Sequence, residues 1–349
     1  MDEFAQHRGW WGYHWAPPQP LSITRIIASG SLDAELAALL WLLVEGRLPV
    51  LVAAEAPLAG KSTTLTALMD FLPPGTHKLF LRGWAETFDW LPDADRLGWP
   101  GWQEALAEGA GVSARDPRVR GRLAQLQRRM EEETGGESQP RAADPATTYL
   151  LASELSSHLP VYTWGVQARI LVRALQRGYG LGSSMHADSL EEVFSELGTP
   201  PVGLTEDELR WLGVVIVLRL VGEDGAALHF PEGSLEAEMG PLQPWVRRRA
   251  VAVHYLRPPE RDGAGHVQRR PPAVLATWDP ATDCFEHFAW GVTPELALRV
   301  GRTQADFEGE QEARAAYLRG LVEGGVFGVP AVRRAIDGYR ESTGARGDN

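Results

Sequence analysis

The sequence contains a single cysteine, Cys284, among 349 residues. One thiol excludes an intramolecular disulfide framework and any metal site built from several cysteines, and it favours a reducing compartment. Long apolar runs are also absent. The longest, Leu36–Val44, lies between two glutamates and is far shorter than the ~20 residues that span a bilayer. The N-terminal stretch MDEFAQHRGWW has no basic segment followed by an apolar one, so no signal peptide is predicted.

Basic residues are outnumbered by acidic ones. The chain carries 34 basic and 46 acidic residues, which gives a formal net charge of −12. An acidic surface repels phosphate backbones and anionic lipid, so nucleic acid is not an expected partner. Apolar residues make up 44% of the chain, enough for one large or two modest globular domains. We therefore expect a soluble, cytoplasmic protein.

Composition divides the chain into regions. Residues 1–20 are rich in tryptophan and proline and predict an extended arm. Residues 21–292 alternate strand-like and helix-like segments, which predicts an α/β domain with a mainly parallel sheet and helices on both faces. Residues 100–146 contain six arginines between Arg115 and Arg129, followed by three consecutive glutamates and a glycine-containing loop. We interpret them as a charged insertion, whose basic run is a solvated helix face or an interaction patch. Residues 293–349 predict a helical C-terminal subdomain.

Caps, stops and periodicity locate several elements. SLDAELAALLWLLVEG predicts a helix with Ser31 as its N-cap and Gly46 as its stop. The apolar run Val50–Ala54 predicts a buried strand. Three later segments predict antiparallel strands at the edge of the sheet: 251–256, 274–278 and 285–290.

The strongest local motif is Gly60-Lys61-Ser62-Thr63, between a predicted strand and a predicted helix. Backbone N–H groups at a helix N-terminus bind phosphate, a lysine reaches the β- and γ-phosphates, and the next hydroxyl ligates Mg²⁺. The motif predicts an ATP site formed by Ala59, Gly60, Lys61, Ser62 and Thr63, with Ser62 as the protein ligand of Mg²⁺. An ordinary strand-to-helix turn that contains Gly-Lys is the alternative.

The loop before this motif departs from the usual phosphate-loop pattern. Glu55 stands five residues before Gly60, where the pattern has glycine, and Leu58 stands where related ATPases usually have another glycine. A carboxylate near phosphate groups is repulsive, and leucine is unfavourable wherever the backbone needs a positive φ. The two departures predict weakened nucleotide affinity.

Two later segments end in residues suited to phosphate chemistry. TTYLLASEL predicts an apolar strand that ends in Glu154, which is suited to polarise a water or to hold the hydration shell of Mg²⁺. GSSMHADSLEEVFSEL predicts a strand that ends in His186, followed by a helix capped by Asp188 or Ser189. A histidine in this position is suited to contact a γ-phosphate. Taken alone, Glu154 also fits a solvated strand end, and His186 fits a turn cap.

The order and spacing of these motifs resemble the secretion and pilus ATPase family. That family includes the ATPases of type II and type IV secretion, twitching motility and archaeal flagella. Residues 21–54 resemble the helix pair and strand before its P-loop. HKLFLRGWAETF resembles its Asp box, with Glu86 as the carboxylate; YLLASELSSH resembles its Walker B strand, and SSMHADSLEEVFSEL its His box. With a C-terminal stretch similar to the family's terminal helices, the resemblance covers residues 21–340.

The resemblance implies a RecA-like P-loop NTPase that hydrolyses Mg-ATP to power protein secretion or pilus assembly. It assigns Glu154 to the attacking water and Glu86 and His186 to the γ-phosphate, all as catalytic residues. It also implies a homo-oligomer, in the form of a hexamer, working with an inner-membrane platform or with pilus or secretion components. The location implied is the cytoplasm, including a peripheral position at the cytoplasmic membrane.

A second function fits the same motifs: a catalytically degenerate, nucleotide-responsive structural subunit of such a machine. Glu55, Leu58 and Ser156 favour it, because the family usually has glycine at the first two positions and often arginine at the third. The family also has an N-terminal domain that closes over the nucleotide, whereas residues 1–20 alone precede the first family-like helix. Either a different protein supplies that lid or the site is incomplete.

Overall fold

The computed structural model describes residues 20–83, 86–101, 104–105, 142–157, 162–228, 245–261, 263 and 266–347. Within these ranges, eight strands form one sheet and two short strands form a separate pair. The strands of the main sheet are β1 Val50–Ala53, β2 His77–Phe80, β3 Thr148–Leu151, β4 Gly180–Met185, β5 Val214–Val221, β6 Arg247–Tyr255, β9 Ala273–Asp279 and β10 Cys284–His287. The separate pair is β7 Glu260–Arg261 and β8 Val267–Gln268.

The helices lie before, between and after the strands. In chain order they are α1 Ile23–Ala28, α2 Ala34–Glu45, α3 Lys61–Met69, α4 Val166–Leu175, α5 Leu190–Gly198, α6 Glu206–Leu209, α7 Thr293–Arg299, α8 Gln304–Glu323 and α9 Val329–Gly347.

The strand order of the main sheet is β10-β9-β6-β5-β1-β4-β3-β2. The five strands from β5 to β2 run parallel to one another, whereas β6, β9 and β10 are each antiparallel to their neighbours. This arrangement confirms the predicted α/β class, the mainly parallel sheet and its antiparallel edge. Parallel neighbours need crossover connections, and α4 supplies the one between β3 and β4.

Helices cover both faces of the sheet. Along β1, Val50 and Val52 pack into a core with α1, α2, α3 and the C-terminal helices. Leu51 and Ala53 point the other way, into a second core with α4 and α5. Successive side chains of a strand alternate between faces, so a strand buried on both sides is apolar throughout, as the VLVA of β1 is.

The C-terminal helices belong to the first of these cores. Phe307 and Leu318 of α8 and Ile336 of α9 are buried together with α2. Arg340 of α9 also forms an ion pair with Glu45 at the end of α2, at 2.9 Å. These contacts hold residues 293–347 against the helix that precedes β1.

Several predicted boundaries are confirmed, and two need correction. Gly46 does cap the C-terminus of α2, but Ser31 is wrong as its N-cap. That cap is Asp33, whose Oδ1 accepts a hydrogen bond from the Leu36 N–H at 2.8 Å, while the Ser31 hydroxyl pairs with Ser29. The last predicted strand, 285–290, ends at His287, because the chain then turns into a short 3-10 segment.

Two predictions fall largely on residues that the structure does not describe. The extended arm predicted for residues 1–20 lies outside the described ranges except for Pro20, and most of the charged insertion predicted for residues 100–146 lies outside them as well. Among the helices that are described, none is both long enough and apolar enough to cross a membrane.

Candidate functional site

The Gly-Lys-Ser-Thr motif lies at the carboxyl edge of the sheet, where β1 pairs in parallel with both β4 and β5. The chain leaves β1 into α3, which packs on one face of the sheet, and leaves β4 towards α5, which packs on the other. Neighbouring strands whose connections leave on opposite faces open a crevice at their carboxyl ends, where α/β proteins commonly bind ligands. The fold therefore places residues 54–60 beside such a crevice.

Two residues of this loop have a left-handed backbone. Gly60, the N-cap of α3, has a φ of 92°, and Leu58 has a φ of 59°. Glycine adopts this conformation freely, whereas for leucine it costs ~1–2 kcal/mol. The positive φ that would make leucine unfavourable at residue 58 is therefore present. As the N-cap of α3, Gly60 has no side chain with which to accept a hydrogen bond from the first N–H groups of the helix.

Lys61 is the first residue of α3, and its side chain is buried. Its Nζ donates a hydrogen bond to the carbonyl oxygen of Ala54 at 3.1 Å. The same atom lies 3.4 Å from Nδ1 and 3.5 Å from Nε2 of His186. The ammonium group is thus folded against its own loop and against the carboxyl end of β4.

The choice of lysine at this position is unusual for the chain. Only two of its 34 basic residues, Lys61 and Lys78, are lysines. Arginine forms planar, bidentate pairs, whereas lysine presents a compact ammonium on a flexible stem, which is the group that phosphate loops use. The rarity of lysine is thus a signal in the composition that the motifs alone do not carry.

His186 connects Lys61 to Glu154. Its Nε2 lies 2.8 Å from Oε1 of Glu154, and its Nδ1 lies 3.1 Å from the carbonyl oxygen of Glu55. The Glu154 side chain is nearly buried, with 9% of its surface exposed. Lys61, Glu154 and His186, which were predicted from separate segments, therefore meet in one cluster.

Glu154 stands beyond β3 rather than at the strand end predicted for it, because β3 ends at Leu151. The chain past β3 continues alongside β4. The Leu155 N–H donates to the carbonyl oxygen of Ser184 at 2.8 Å, and the Ser184 hydroxyl donates to the carbonyl oxygen of Ser153 at 2.8 Å. These two bonds hold the residues on both sides of Glu154 and keep it next to His186.

The remaining residues of the motif lie around the start of α3. Ala59 is buried, while Ser62 and Thr63 are partly exposed in the first helical turn. Over the described part of the chain, no group of three or more His, Cys, Asp or Glu side chains could hold a metal ion. A Mg²⁺ ion at this site would therefore depend on the Ser62 hydroxyl, on water and on phosphate oxygens, which are ligands that Mg²⁺ accepts.

Glu86 lies at the other end of the parallel region, beyond the edge strand β2. Its carboxylate accepts hydrogen bonds from the backbone N–H groups of Arg82, Thr87 and Phe88 and from Nε1 of Trp90, at 2.9–3.1 Å. This buried carboxylate therefore stabilises the turn that follows β2. Its predicted contact with a γ-phosphate stays a prediction.

Sequence reasoning missed Glu192 of α5. Burial raises the pKa of Glu192, and the charges of Asp188 and Glu55 raise it further, against a hydrogen bond from the Asp188 N–H that lowers it. That bond joins the N–H to Oε2 of Glu192 at 2.5 Å. Three carboxylates therefore share this side of the crevice, and their field opposes an anionic ligand.

Sequence reasoning also missed Arg248 of β6. Its Nε donates a hydrogen bond to the carbonyl oxygen of Leu58 at 2.8 Å. Burial lowers the pKa of the Arg248 guanidinium. The run Arg247-Arg248-Arg249 was visible in the sequence. Its place beside the loop was not, because that follows from the pairing of β5 with β6.

The chain is similar to two proteins of Methanocaldococcus jannaschii, both described as uncharacterized. It is 24% identical to protein MJ0900 over 329 residues, which cover 92% of this chain and 49% of that protein. It is 26% identical to protein MJ1287 over 306 residues, which cover 85% of this chain and 90% of that protein. The chain thus spans about half the length of the first relative. No family model matches the chain.

Proposed function

We propose that this chain binds Mg-ATP at the N-terminal end of α3 and hydrolyses it, as a RecA-like P-loop ATPase of the secretion and pilus class. The observation that carries the proposal is the cluster of Lys61, Glu154 and His186 at one edge of a parallel sheet. The strand order supports it too, since β1, β4 and β3 are neighbours and deliver all three residues to the same crevice.

The start of α3 fits a phosphate group. Its N-cap, Gly60, has no side chain that could occupy this end of the helix, and the helix dipole adds partial positive charge there. In the proposal, Ala59 and Gly60 contribute backbone N–H groups, and Lys61 leaves the Ala54 carbonyl to bind β- and γ-phosphate oxygens. The Ser62 hydroxyl ligates Mg²⁺, and Thr63 reaches towards the α-phosphate.

The hydrolytic step is assigned to the residues around the γ-phosphate. ATP supplies the phosphoanhydride bond that water breaks. Glu154 orients the water and accepts its proton, which suits a carboxylate that is nearly buried and held in place. His186 lies between Glu154 and Lys61 and contacts the γ-phosphate. Glu86 can contact the γ-phosphate, as proposed, only if the turn after β2 opens, because its oxygens already accept hydrogen bonds in that turn.

A nucleotide-responsive subunit without turnover is the second candidate. Two observations favour it. The backbone of Leu58 is left-handed, a conformation that costs leucine free energy. The carboxylates of Glu55, Asp188 and Glu192 also share the crevice. Both features lower affinity for a triphosphate. Binding and turnover therefore have to be measured separately.

The binding proposal predicts that Mg-ATP stabilises the wild type and not Lys61→Ala. A nucleotide at 100 times its Kd raises the free energy of unfolding by about 2.7 kcal/mol. Removing a buried cation that pairs with phosphate costs about 2–5 kcal/mol, or roughly 30-fold or more in Kd. Thermal melts and calorimetric titration with Mg-ATP measure both effects.

Lys78→Ala is the matched control, because it removes the chain's other lysine from the edge strand β2. Its Kd for Mg-ATP should equal that of the wild type. The two lysines also allow a direct check by amine acetylation and mass spectrometry. Mg-ATP should protect Lys61 and leave the modification of Lys78 unchanged. A wild type that shows neither a thermal shift nor protection at millimolar nucleotide refutes the binding proposal.

Glu55→Gly should tighten Mg-ATP binding several-fold. A carboxylate ~5 Å from a phosphate oxygen costs about 3 kcal/mol per charge pair at an effective dielectric of ~20, and exposure of Glu55 to solvent reduces that greatly. Glu55→Gln removes the charge without adding glycine's flexibility and serves as the comparison. Leu58→Gly combined with Glu55→Gly should tighten binding further. Weaker binding by Glu55→Gly would mean that the carboxylate supports the loop or a metal ion.

We further propose that the chain forms a ring-shaped homo-oligomer, a hexamer, that acts with membrane platform, pilus or secretion components. The support is the motif resemblance, since that family places nucleotide near subunit borders. Sedimentation velocity with a non-hydrolysable ATP analogue should reveal the oligomer at tens of micromolar protein. A monomer under these conditions contradicts the motor function and favours the structural subunit.

A further inference from the structure

The loop before α3 is held from outside by a side chain of β6. Arg248 lies on β6, the strand next to β5 in the sheet. It stands opposite Leu220 of β5 in the antiparallel register. Its Nε donates to the Leu58 carbonyl oxygen at 2.8 Å, and its Cδ lies 3.1 Å from where a Cβ on Gly60 would stand. The side chain therefore touches both left-handed positions of the loop.

A left-handed leucine requires an external restraint. Leucine at φ 59° is a strained residue, and such residues persist where the surrounding structure over-determines them. The bond from Arg248 to the carbonyl of Leu58 fixes the orientation of the peptide that joins Leu58 to Ala59. That peptide also carries the Ala59 N–H, so the restraint sets the direction of a donor in the loop.

Gly60 is constrained by the same side chain. Its φ of 92° already favours glycine, and a methyl group at this position would meet the Arg248 stem at 3.1 Å. The loop and the arginine therefore fit together closely. Arg248 also adds a guanidinium charge on the β6 side of the loop, and arginine stays charged in proteins.

We propose that Arg248 is a positioning residue of the nucleotide site: it clamps Leu58 in the left-handed conformation and so aligns the backbone donors of residues 59–61 for phosphate. The inference rests on the proposed function of this site. A glycine at residue 58 would adopt the left-handed conformation freely. Here residue 58 is leucine, and the Arg248 side chain of β6 stabilises that conformation instead.

A double-mutant cycle tests the clamp. Arg248→Met keeps an unbranched stem and removes the donor, and Leu58→Gly removes the need for restraint. Arg248→Met should weaken Mg-ATP binding about tenfold when residue 58 is leucine, and less than about twofold in the Leu58→Gly background. Arg247→Met is the matched control, because Arg247 is the preceding residue of β6, where successive side chains point to opposite faces, and it pairs with Asp283 at 3.0 Å. Its affinity should equal that of the wild type.

Hydrogen exchange separates the clamp from nucleotide binding. In the absence of nucleotide, Arg248→Met should speed amide exchange at residues 58–61 in the wild-type background, with the thermal melting point little changed. Arg248→Lys should give the same result, since its ammonium cannot reproduce the Nε geometry. Unchanged exchange overturns the clamp, whether or not ATP binds. Equal losses of affinity in both backgrounds overturn it as well, because Arg248 would then act through its charge. A wild type that binds no Mg-ATP refutes the proposed function, and the exchange data still decide the clamp.

Discussion

Glu154→Gln is expected to lower ATP turnover by about 10²–10⁴-fold while Mg-ATP binding changes little. Glutamine has nearly the same shape as glutamate, so it can keep the contact with His186, at 2.8 Å in the wild type. It cannot accept the proton that the attacking water must lose. Steady-state phosphate release and calorimetric titration on the same samples separate the two quantities.

Glu196→Gln serves as the control, since Glu196 is an exposed glutamate in the last turn of α5. Its turnover should match the wild type. If Glu154→Gln retains full turnover, Glu154 is not the residue that acts on water. If the wild type binds Mg-ATP with a dependence on Lys61 and releases no phosphate, the chain is the nucleotide-responsive subunit described above.

Trp41→Ala is expected to lower the free energy of unfolding by about 3–5 kcal/mol. Trp41 of α2 is fully buried. Its ring stacks on Phe71 with centroids 5.0 Å apart, Tyr339 lies 5.3 Å away, and the Arg314 guanidinium lies 4.7 Å above the ring. The residue thus joins the helix before β1 to the segment after α3 and to both long C-terminal helices. Urea titration followed by circular dichroism measures the loss.

Two variants make this test specific. Trp41→Phe should cost much less than alanine, because it keeps an aromatic ring and because Nε1 of Trp41 has no hydrogen-bond partner among the described residues. Trp290→Ala should have almost no effect, because 77% of Trp290 is exposed. If Trp41→Ala lowers the free energy of unfolding no more than Trp290→Ala does, the packing of α8 and α9 on Trp41 does not stabilise the core.

Local signals in the sequence were sufficient for most elements. The β-branched run VVIVLRLV by itself predicts a strand, and it forms β5, Val214–Val221. Ser189 was one of two proposed caps and does cap α5, through a hydrogen bond from the Glu192 N–H. Where two cap residues lie close together, as Ser31 and Asp33 do, composition does not distinguish them. The choice depends on which side chain reaches a free N–H at the helix start.

The sequence predicted which residues belong to the candidate site, but not which of them are in contact. Lys61 was predicted from the Gly-Lys-Ser-Thr motif, and Glu154 and His186 from polar residues that follow a predicted strand. None of these patterns carries information about distance. Glu86 was predicted from the resemblance to an Asp box, and its oxygens accept hydrogen bonds within its own turn. Whether such a residue joins the cluster depends on the strand that precedes it, and β2 is separated from β4 by β3.

By itself, the sequence determined the α/β class, most strands and helices, and the chemical character of the loop, because these follow from periodicity, caps and turn residues within a few positions. The tertiary structure alone decided the strand order, the packing of α8 and α9 on α2, and the contact of Arg248 with Leu58. These depend on contacts between residues far apart in the sequence: Arg248 and Leu58 are 190 positions apart, and Arg340 and Glu45 are 295 positions apart. Local propensity says nothing about such pairings, since they form only when the whole sheet buries both of its faces.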